Sequence, residues 1–404
     1  MKAQRGPVVG IIGGGQLARM LAEAATPLGI HVRVLAGAAD EGAPEVVPDT
    51  VVGAADDPAA VVAFGRSVDV VTLDHENVDH GALDELARSG VAVWPAVETL
   101  RFADKAWQRR RFAEAGIPVP DFVVIDPAGP GGIEAARSTA SSFAADHPGG
   151  VVAKASRGGY DGRAVWMLEA AAVTDFVAGW VDAPLVLEPR LALDDEVAVL
   201  VARRPSGEVR TWPVLRTVQE GGMCVEVDLP SGLDPVLAAE AEALGRVVAE
   251  TTGAVGVLAV ELFVVDGRLL VNEIAPRVHN SGHVTIEGAR TSQFEQHLRA
   301  VLDWPLGPTD AVAAAAVMVN VVGGDEGDPR DHQAAALAAV PEAHLHLYGK
   351  TARPGRKVGH VTVVGTDLDR CRTRATTVAR LLSGVGTSEL DVGAPPSGMG
   401  GSTT

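Results

Sequence analysis

Cysteine is nearly missing from this 404-residue chain: only Cys224 and Cys371 occur, far apart and without the spacing of a metal knuckle. This scarcity excludes a disulfide scaffold and a cysteine-based zinc site, and it fits a reducing, cytoplasmic setting. Aromatic residues make up 4% of the chain, so Val, Leu, Ala and Ile must fill the interior. Positive charge is also scarce, with 34 Lys and Arg against 52 Asp and Glu and a net charge of −18. Nucleic acid is therefore excluded as a partner, because phosphate backbones are held by basic faces that release counterions. No stretch offers about 18 charge-free apolar residues, and the apolar run at 8–12 is too short for a signal-peptide core, so no membrane partner is expected.

What is present is a chain that is 47% hydrophobic and 21% charged, the balance of a compact protein of two to four domains. Residues 8–35 read as strand, glycine turn, helix, strand, a βαβ unit with Leu17, Met20, Leu21 and Ala24 on one helix face. Short buried strands at 68–73 and 91–94 extend an open parallel sheet, and a helix is expected over 98–115 before Gly116, Pro118 and Pro120 end it. The expected divisions are a parallel α/β domain over 1–116, a small subdomain over 117–184, a core over 185–308, a β-rich domain over 309–392 and a disordered tail over 393–404. Together these give an α/β and α+β multidomain fold.

Several clusters carry chemistry. Gly13, Gly14 and Gly15, with Gln16, follow a strand and open a helix, a place where backbone N–H groups bind anions. A nicotinamide site is disfavoured, because the second strand runs into Ala36-Gly37 and lacks the acid that would hold a ribose. Residues 154–163, KASRGGYDGR, put Lys154 at the end of an apolar strand, where it would be buried without a partner, ahead of a loop able to fold over an anion. Glu188 and Glu196 flank the turn Pro189-Arg190-Leu191 after another apolar strand. The stretch 260–283, VELFVVDGRLLVNEIAPRVHNSGH, reads as a β-hairpin turning at Asp266-Gly267. A strict two-residue turn would set Glu261 opposite Asn272, whereas a longer or bulged turn sets Glu261 opposite Glu273. Two carboxylates on one face are tolerable when a hard cation such as Mg²⁺ bridges them; a solvated hairpin edge is the alternative. His279 and His283 have the spacing of a zinc pair, but Asn280-Ser281-Gly282 between them disfavours the helix that such a pair needs. Lys350, Arg353, Arg356 and Lys357 form a basic cluster suited to a phosphate, or else a solvated surface.

Taken in order, GGGQLARM at 13–20, GGYDGR at 158–163, NEIAPRVHNSGH at 272–283 and RPGRKVGH at 353–360 resemble the ATP-grasp superfamily. The likeness is closest to its purine-pathway branch, which carboxylates aminoimidazole ribonucleotide, and it spans about residues 8–365. It implies an ATP-grasp fold behind an N-terminal parallel-sheet, Rossmann-like pre-ATP-grasp domain, with a small C-terminal β-rich domain. It also implies a carbon–nitrogen ligase using ATP, Mg²⁺ (or Mn²⁺ in its place), bicarbonate and aminoimidazole ribonucleotide, by way of carboxyphosphate, and a homodimer. By the same resemblance, Arg101, Lys105, Lys154, Asn272 and Glu273 contact ATP. Arg157 also contacts ATP; Gly158, Gly159, Tyr160, Asp161, Gly162 and Arg163 form the lid over the triphosphate, and Glu188, Pro189, Arg190 and Leu191 form the adenine linker. Glu196 is the ribose acid, with Gln219 nearby, and Glu261 and Glu273 hold the metal.

The substrate side comprises Gly15, Gln16, Leu17, Glu76, Tyr160, Asp161, Arg163, Arg277, His279, Asn280, Ser281, Lys350, Arg356 and Lys357. Asp161, Arg163, Lys154 and His279 are the expected catalytic set, with Asp161 taking the proton from the amine. Ala275 stands where many superfamily members carry a second Asn. The metal role of the two acids implies the odd-register turn at Asp266-Gly267. The alternatives are a formate-using ATP-grasp ligase such as glycinamide ribonucleotide formyltransferase, a dinucleotide oxidoreductase, and a nucleotide-binding regulator without catalysis.

Overall fold

A positive φ of 105° at Gly13 ends the first strand, and a side chain there would lie 2.7 Å from Cβ of Asp74, so only glycine fits this turn. The computed structural model describes residues 6–158, 164–180, 183–324 and 327–384. Strands β1 (Val8–Ile12), β2 (His31–Ala36), β3 (Thr50–Val52), β4 (Val70–Leu73) and β5 (Ala92–Val93) form a parallel sheet in the order β3-β2-β1-β4-β5. The helix Gln16–Ala25 buries Leu17, Met20 and Leu21 as the apolar spacing predicts, together with Ala18 and Ala25, while Ala24 is only partly buried. The helix expected over 98–115 is broken into Val97–Leu100, a 3₁₀ turn Arg101–Ala103 and Lys105–Glu114. Asp104 is the reason. Its carboxylate accepts from the backbone N–H of Trp107 at 3.0 Å and restarts the helix as an N-cap.

Strands β6 (Val123–Ile125), β7 (Val151–Ala155), β8 (Val165–Leu168) and β9 (Leu185–Pro189) form a separate antiparallel sheet, order β6-β9-β7-β8. The loop residues 159–163, which include the expected lid residues Gly159, Tyr160, Asp161, Gly162 and Arg163, lie outside the described residues, as does the tail. The largest sheet contains β10 (Asp195–Arg203), β11 (Val209–Thr211), β12 (Leu215–Glu220), β13 (Met223–Leu229), β14 (Gly256–Val265), β15 (Arg268–Ala275), β16 (Ala315–Val322), β17 (His344–Leu347) and β18 (Lys357–Gly365). Its order is β15-β14-β10-β12-β13-β16-β18-β17, with β11 added to β10. The C-terminal strands thus extend the central sheet, while their own apolar cluster packs under the helix Leu368–Leu382.

The hairpin places its extra residue somewhere other than the turn. Val265 pairs with Arg268, and both Asp266 and Gly267 have positive φ (49° and 68°), a strict two-residue turn. The ladder slips further along, where Leu262 pairs with Val271 and Glu261 with Glu273, leaving Asn272 as a bulge. The expected pairing of the two acids holds, but the odd-register turn does not. Aspartate and glycine tolerate the left-handed region, so the turn closes tightly and the register change moves to Asn272.

His297, fully buried on the helix Gln293–Val301, joins two sheets. Its Nδ1 accepts from Val257 N at 3.0 Å on β14, so Nε2 carries the proton toward Thr72 Oγ1, 2.7 Å away on β4. Burial holds this imidazole down at about 4 against an ordinary 6.5. An unfolded chain therefore takes up the proton first as pH falls. The stabilisation from neutral His297, on the order of 3 kcal/mol, is complete above pH 6.5 and lost on going down toward pH 4. Urea unfolding from pH 7.5 to 4.5 should show His297→Gln less stable at the upper end and less steeply weakened by acid than the unmodified chain.

Candidate active site

The two antiparallel sheets are joined by a row of charged side chains. Lys154 ends β7 in the interior, and it is not left without a partner. Its ammonium lies 2.7 Å from Glu188 Oε2 on β9 and donates to Asn272 Oδ1 at 2.8 Å on β15. Glu188 Oε1 accepts from Nε of Arg109 at 2.6 Å, and all three side chains are almost completely buried. Burial alone would raise the Glu188 carboxyl, but Lys154 and Arg109 outweigh it and hold the group below its usual range. Burial lowers the Lys154 ammonium and Arg109 adds to that, with Glu188 opposing both. Two cations around one anion leave this buried array a net positive charge, ready for an anionic ligand.

Glu261 and Glu273 face each other across the hairpin beside this array. Lys105, at the start of its helix, donates to Glu273 Oε1 at 2.6 Å. Burial, then Glu273, then Glu196 push the Glu261 carboxyl up to about 7. Glu196 on β10 is itself raised by burial, with Lys154 opposing. Such a cluster of oxygen donors, one of them driven toward its neutral form for want of positive charge, fits a hard divalent cation. Among the described residues no group of three or more His, Cys, Asp or Glu is arranged to hold an ion alone. The pair therefore suits an ion that completes its shell with phosphate oxygens and water.

Beyond the hairpin, the loop expected on the substrate side is held from several directions. Arg277 Nε lies 2.9 Å from Glu76 Oε1, and His279 Nε2 lies 3.8 Å from Glu261 Oε1. His279 Nδ1 meets Ser281 Oγ at 2.9 Å, and burial, Arg277 and Lys357 lower the imidazole to about 3. It is thus a neutral ring at physiological pH. Asn280 and Asn320 exchange amide hydrogen bonds at 3.0 and 2.8 Å, so the Asn280 side chain is engaged with the protein. Lys350 donates to Gln16 Oε1, which joins the C-terminal basic cluster to the glycine turn. At that turn the Gly15 amide donates to Asp74 Oδ2 at 2.5 Å, so a carboxylate of the protein already occupies one anion position. Burial raises the Asp74 carboxyl, with His75, the Gly15 amide, Arg277 and Lys350 opposing.

Three comparisons agree with this geometry. Residues 7–104 match the ribonucleotide synthetase preATP-grasp domain, residues 110–294 the ATP-grasp domain, and residues 316–374 the phosphoribosylaminoimidazole carboxylase C-terminal domain. The N5-carboxyaminoimidazole ribonucleotide synthase of Mycobacterium tuberculosis is 46% identical, covering 93% of this chain and 88% of its own. The chain belongs to the N5-carboxyaminoimidazole ribonucleotide synthase family. A second synthase, from Corynebacterium ammoniagenes, is 42% identical over 93% of this chain and 92% of its own. The Aspergillus clavatus carboxyaminoimidazole ribonucleotide synthase, solved with ATP, superposes with a TM-score of 0.84 at 31% identity, covering 95% of this chain and all of that one.

Of the synthase-family positions expected from sequence, Lys105, Lys154, Glu188, Glu196, Glu261, Asn272, Glu273 and His279 are brought together in and beside this row. Arg157, at the root of the lid, pairs with Asp104 at 2.7 Å. The Arg190 side chain turns back onto Gly149 O at 2.7 Å, leaving only the backbone of Pro189, Arg190 and Leu191 for a linker role. Leu17 is core, Arg101 is exposed on its 3₁₀ turn, and Gln219 sits on β12 at the bulged pairing with Cys224. Arg356 is exposed and donates to Thr351 O, whereas Lys357 is buried on β18.

Sequence reasoning missed Arg109, Asp104 and Gln293. The sequence holds one signal for the first: Arg109 lies four residues after Lys105, on the same helix face, but the run Arg109-Arg110-Arg111 hides which arginine turns inward. Gln293 is the more concealed. Its amide accepts from His279 N at 2.8 Å and donates to His279 O at 2.6 Å, as a neighbouring strand would.

Lys154→Met should leave Glu188 paired with Arg109 alone and Asn272 Oδ1 without its donor, a change worth about 1–3 kcal/mol. Chemical denaturation should show a loss of that size, and equilibrium dialysis should show nucleotide binding weakened with it. Glu273→Gln, whose side chain is 43% exposed, should fold normally yet lose metal-dependent ATP turnover by roughly 100-fold or more, since outer-shell metal partners alone are worth 10–100-fold.

Proposed function

We propose that the chain is an ATP-dependent carbon–nitrogen ligase that carboxylates 5-aminoimidazole ribonucleotide with bicarbonate in purine biosynthesis. The products are N5-carboxyaminoimidazole ribonucleotide, ADP and phosphate. The observation that carries this reading is the joining, on one hairpin and the loop after it, of the paired acids Glu261 and Glu273 with the Arg277–Glu76 and His279 cluster. In this reading a nucleotide-phosphate half and an acceptor half lie side by side. A solved Aspergillus clavatus carboxyaminoimidazole synthase is described in complex with ADP and 5-aminoimidazole ribonucleotide, at 30% identity and a TM-score of 0.83.

ATP supplies the phosphoryl group that activates bicarbonate as carboxyphosphate, a poor electrophile made reactive. Lys154 and Lys105 neutralise charge on the phosphates, with Glu188 and Glu273 holding those ammonium groups in place. Mg²⁺, or Mn²⁺ in its place, would be held by Glu261 and Glu273 and would offset charge on the phosphate oxygens when bound. Glu188 with the backbone of residues 189–191 receives the adenine, and Glu196 the ribose.

On the acceptor side, Arg277 fixed by Glu76, neutral His279 with Ser281, and the Gln16–Lys350 pair orient the ribonucleotide, with Arg356 and Lys357 supplying further positive charge for its phosphate. Asp161 is assigned as the base and Arg163 as its partner, with the lid of residues 158–163 excluding water from the short-lived intermediate. A homodimer and a cytoplasmic location belong to the same reading; among the described residues no helix is long and apolar enough to cross a membrane.

ADP release is the test. With Mg·ATP, ADP should form when aminoimidazole ribonucleotide and bicarbonate are both present and fall to background when bicarbonate is stripped out. Glycinamide ribonucleotide with formate should not replace them. ADP release that follows formate would transfer the chain to the formate-using ligases, and release indifferent to both would reject a carboxylase.

A further inference from the structure

The bulge at Asn272 is what sets Glu261 opposite Glu273, and a bulge removes backbone groups from the ladder. The carbonyl of Asn272 is not left unpaired: it accepts from Nη2 of Arg109 at 2.6 Å. The same guanidinium gives Nε to Glu188 at 2.6 Å and Nη1 to Gln108 Oε1 at 2.9 Å. Gln108 in turn donates to Phe102 O at 2.9 Å, which fixes the arginine from behind. One planar fork therefore spans the helix Lys105–Glu114, the end of β9 and the bulge of β15. Arg109 is 1% exposed, and each of its three guanidinium nitrogens donates to protein, so it is not placed to touch a ligand.

We propose that Arg109 is a positioning residue that locks the bulge and so sets the spacing of the two metal-binding carboxylates; the proposal rests on the metal–nucleotide reading of that site. Lysine offers one point charge that cannot serve the Glu188 carboxylate and the Asn272 carbonyl in the same directions. A loosened bulge lets the register of β15 relax toward the plain two-residue hairpin. That register would set Glu261 opposite Asn272 and take Glu273 off the shared face. The substrate-side contacts Arg277–Glu76 and His279–Gln293 do not involve Arg109 and should persist.

The test uses the full chain and a nonhydrolysable ATP analogue, so that binding is read without catalysis. In Arg109→Lys, the Mg²⁺ concentration that gives half-maximal analogue binding should rise by roughly 10–100-fold, the range for residues that support metal ligands. The affinity for aminoimidazole ribonucleotide should stay within about twofold, and unfolding should remain cooperative. Arg109→Gln, neutral but still a donor, should show the same split, and millimolar guanidinium should partly restore its Mg²⁺ dependence. An unchanged Mg²⁺ requirement in a folded variant, or an equal loss of both ligands, overturns the proposal. If neither variant folds, Arg109 is structural only and the positioning role is rejected. Failure of the unmodified chain to bind aminoimidazole ribonucleotide would count against the proposed reaction, while the Mg²⁺ comparison would still decide the role of Arg109.

Discussion

Two carboxylates placed opposite each other on one face of a hairpin repel, and much of the site is built to hold Glu261 and Glu273 in that position. The bulge at Asn272 creates the pairing, and a second, positively charged array stands beside it. Lys105 neutralises one acid, while Lys154 and Arg109 straddle Glu188 close by. The outcome is a site in which acids and cations alternate within a few ångströms, which suits a metal–phosphate complex better than either charge alone. Burial first, then the neighbouring Glu273 and Glu196, raise the Glu261 carboxyl to about 7. A bound cation would oppose that rise, so the folded chain is less comfortable without its ligand than with it.

The same hairpin links the two halves of the proposed chemistry. Its second strand carries Asn272 and Glu273, and its continuation carries Arg277 and His279. Gln293 braces that continuation through both backbone groups of His279, and His297, one turn further along the same helix, ties β14 to the N-terminal sheet. A single helix, Gln293–Val301, thus holds both the acceptor loop and the junction between two sheets.

Much of this was legible in the sequence, for identifiable reasons. Glycine turns, short apolar strands and the acid-bearing hairpin obey local rules, and four motifs in order carried the family resemblance. The pairing of Glu261 with Glu273 was foreseen, but its cause was misplaced, because turn chemistry at Asp266-Gly267 says nothing about a bulge six residues later. The bulge carbonyl is bound by Arg109, which arrives from a helix more than 160 residues earlier in the chain. The helix over 98–115 was drawn unbroken for a related reason. Asp104 reads as an ordinary helical residue until Ser156 and Arg157, from the loop after β7, gather around it. Long-range pairs of this kind have no periodicity, and composition does not reveal which of three adjacent arginines is buried.

The central claim is that Glu261 and Glu273 act together as a metal site completed by nucleotide phosphate. Direct titration of Mn²⁺ by electron paramagnetic resonance, with and without a nonhydrolysable ATP analogue, tests it most directly. The prediction is weak binding without nucleotide, much tighter binding with it, and loss of the tight phase in both Glu261→Gln and Glu273→Gln. Tight nucleotide-dependent binding retained in both variants would contradict the claim.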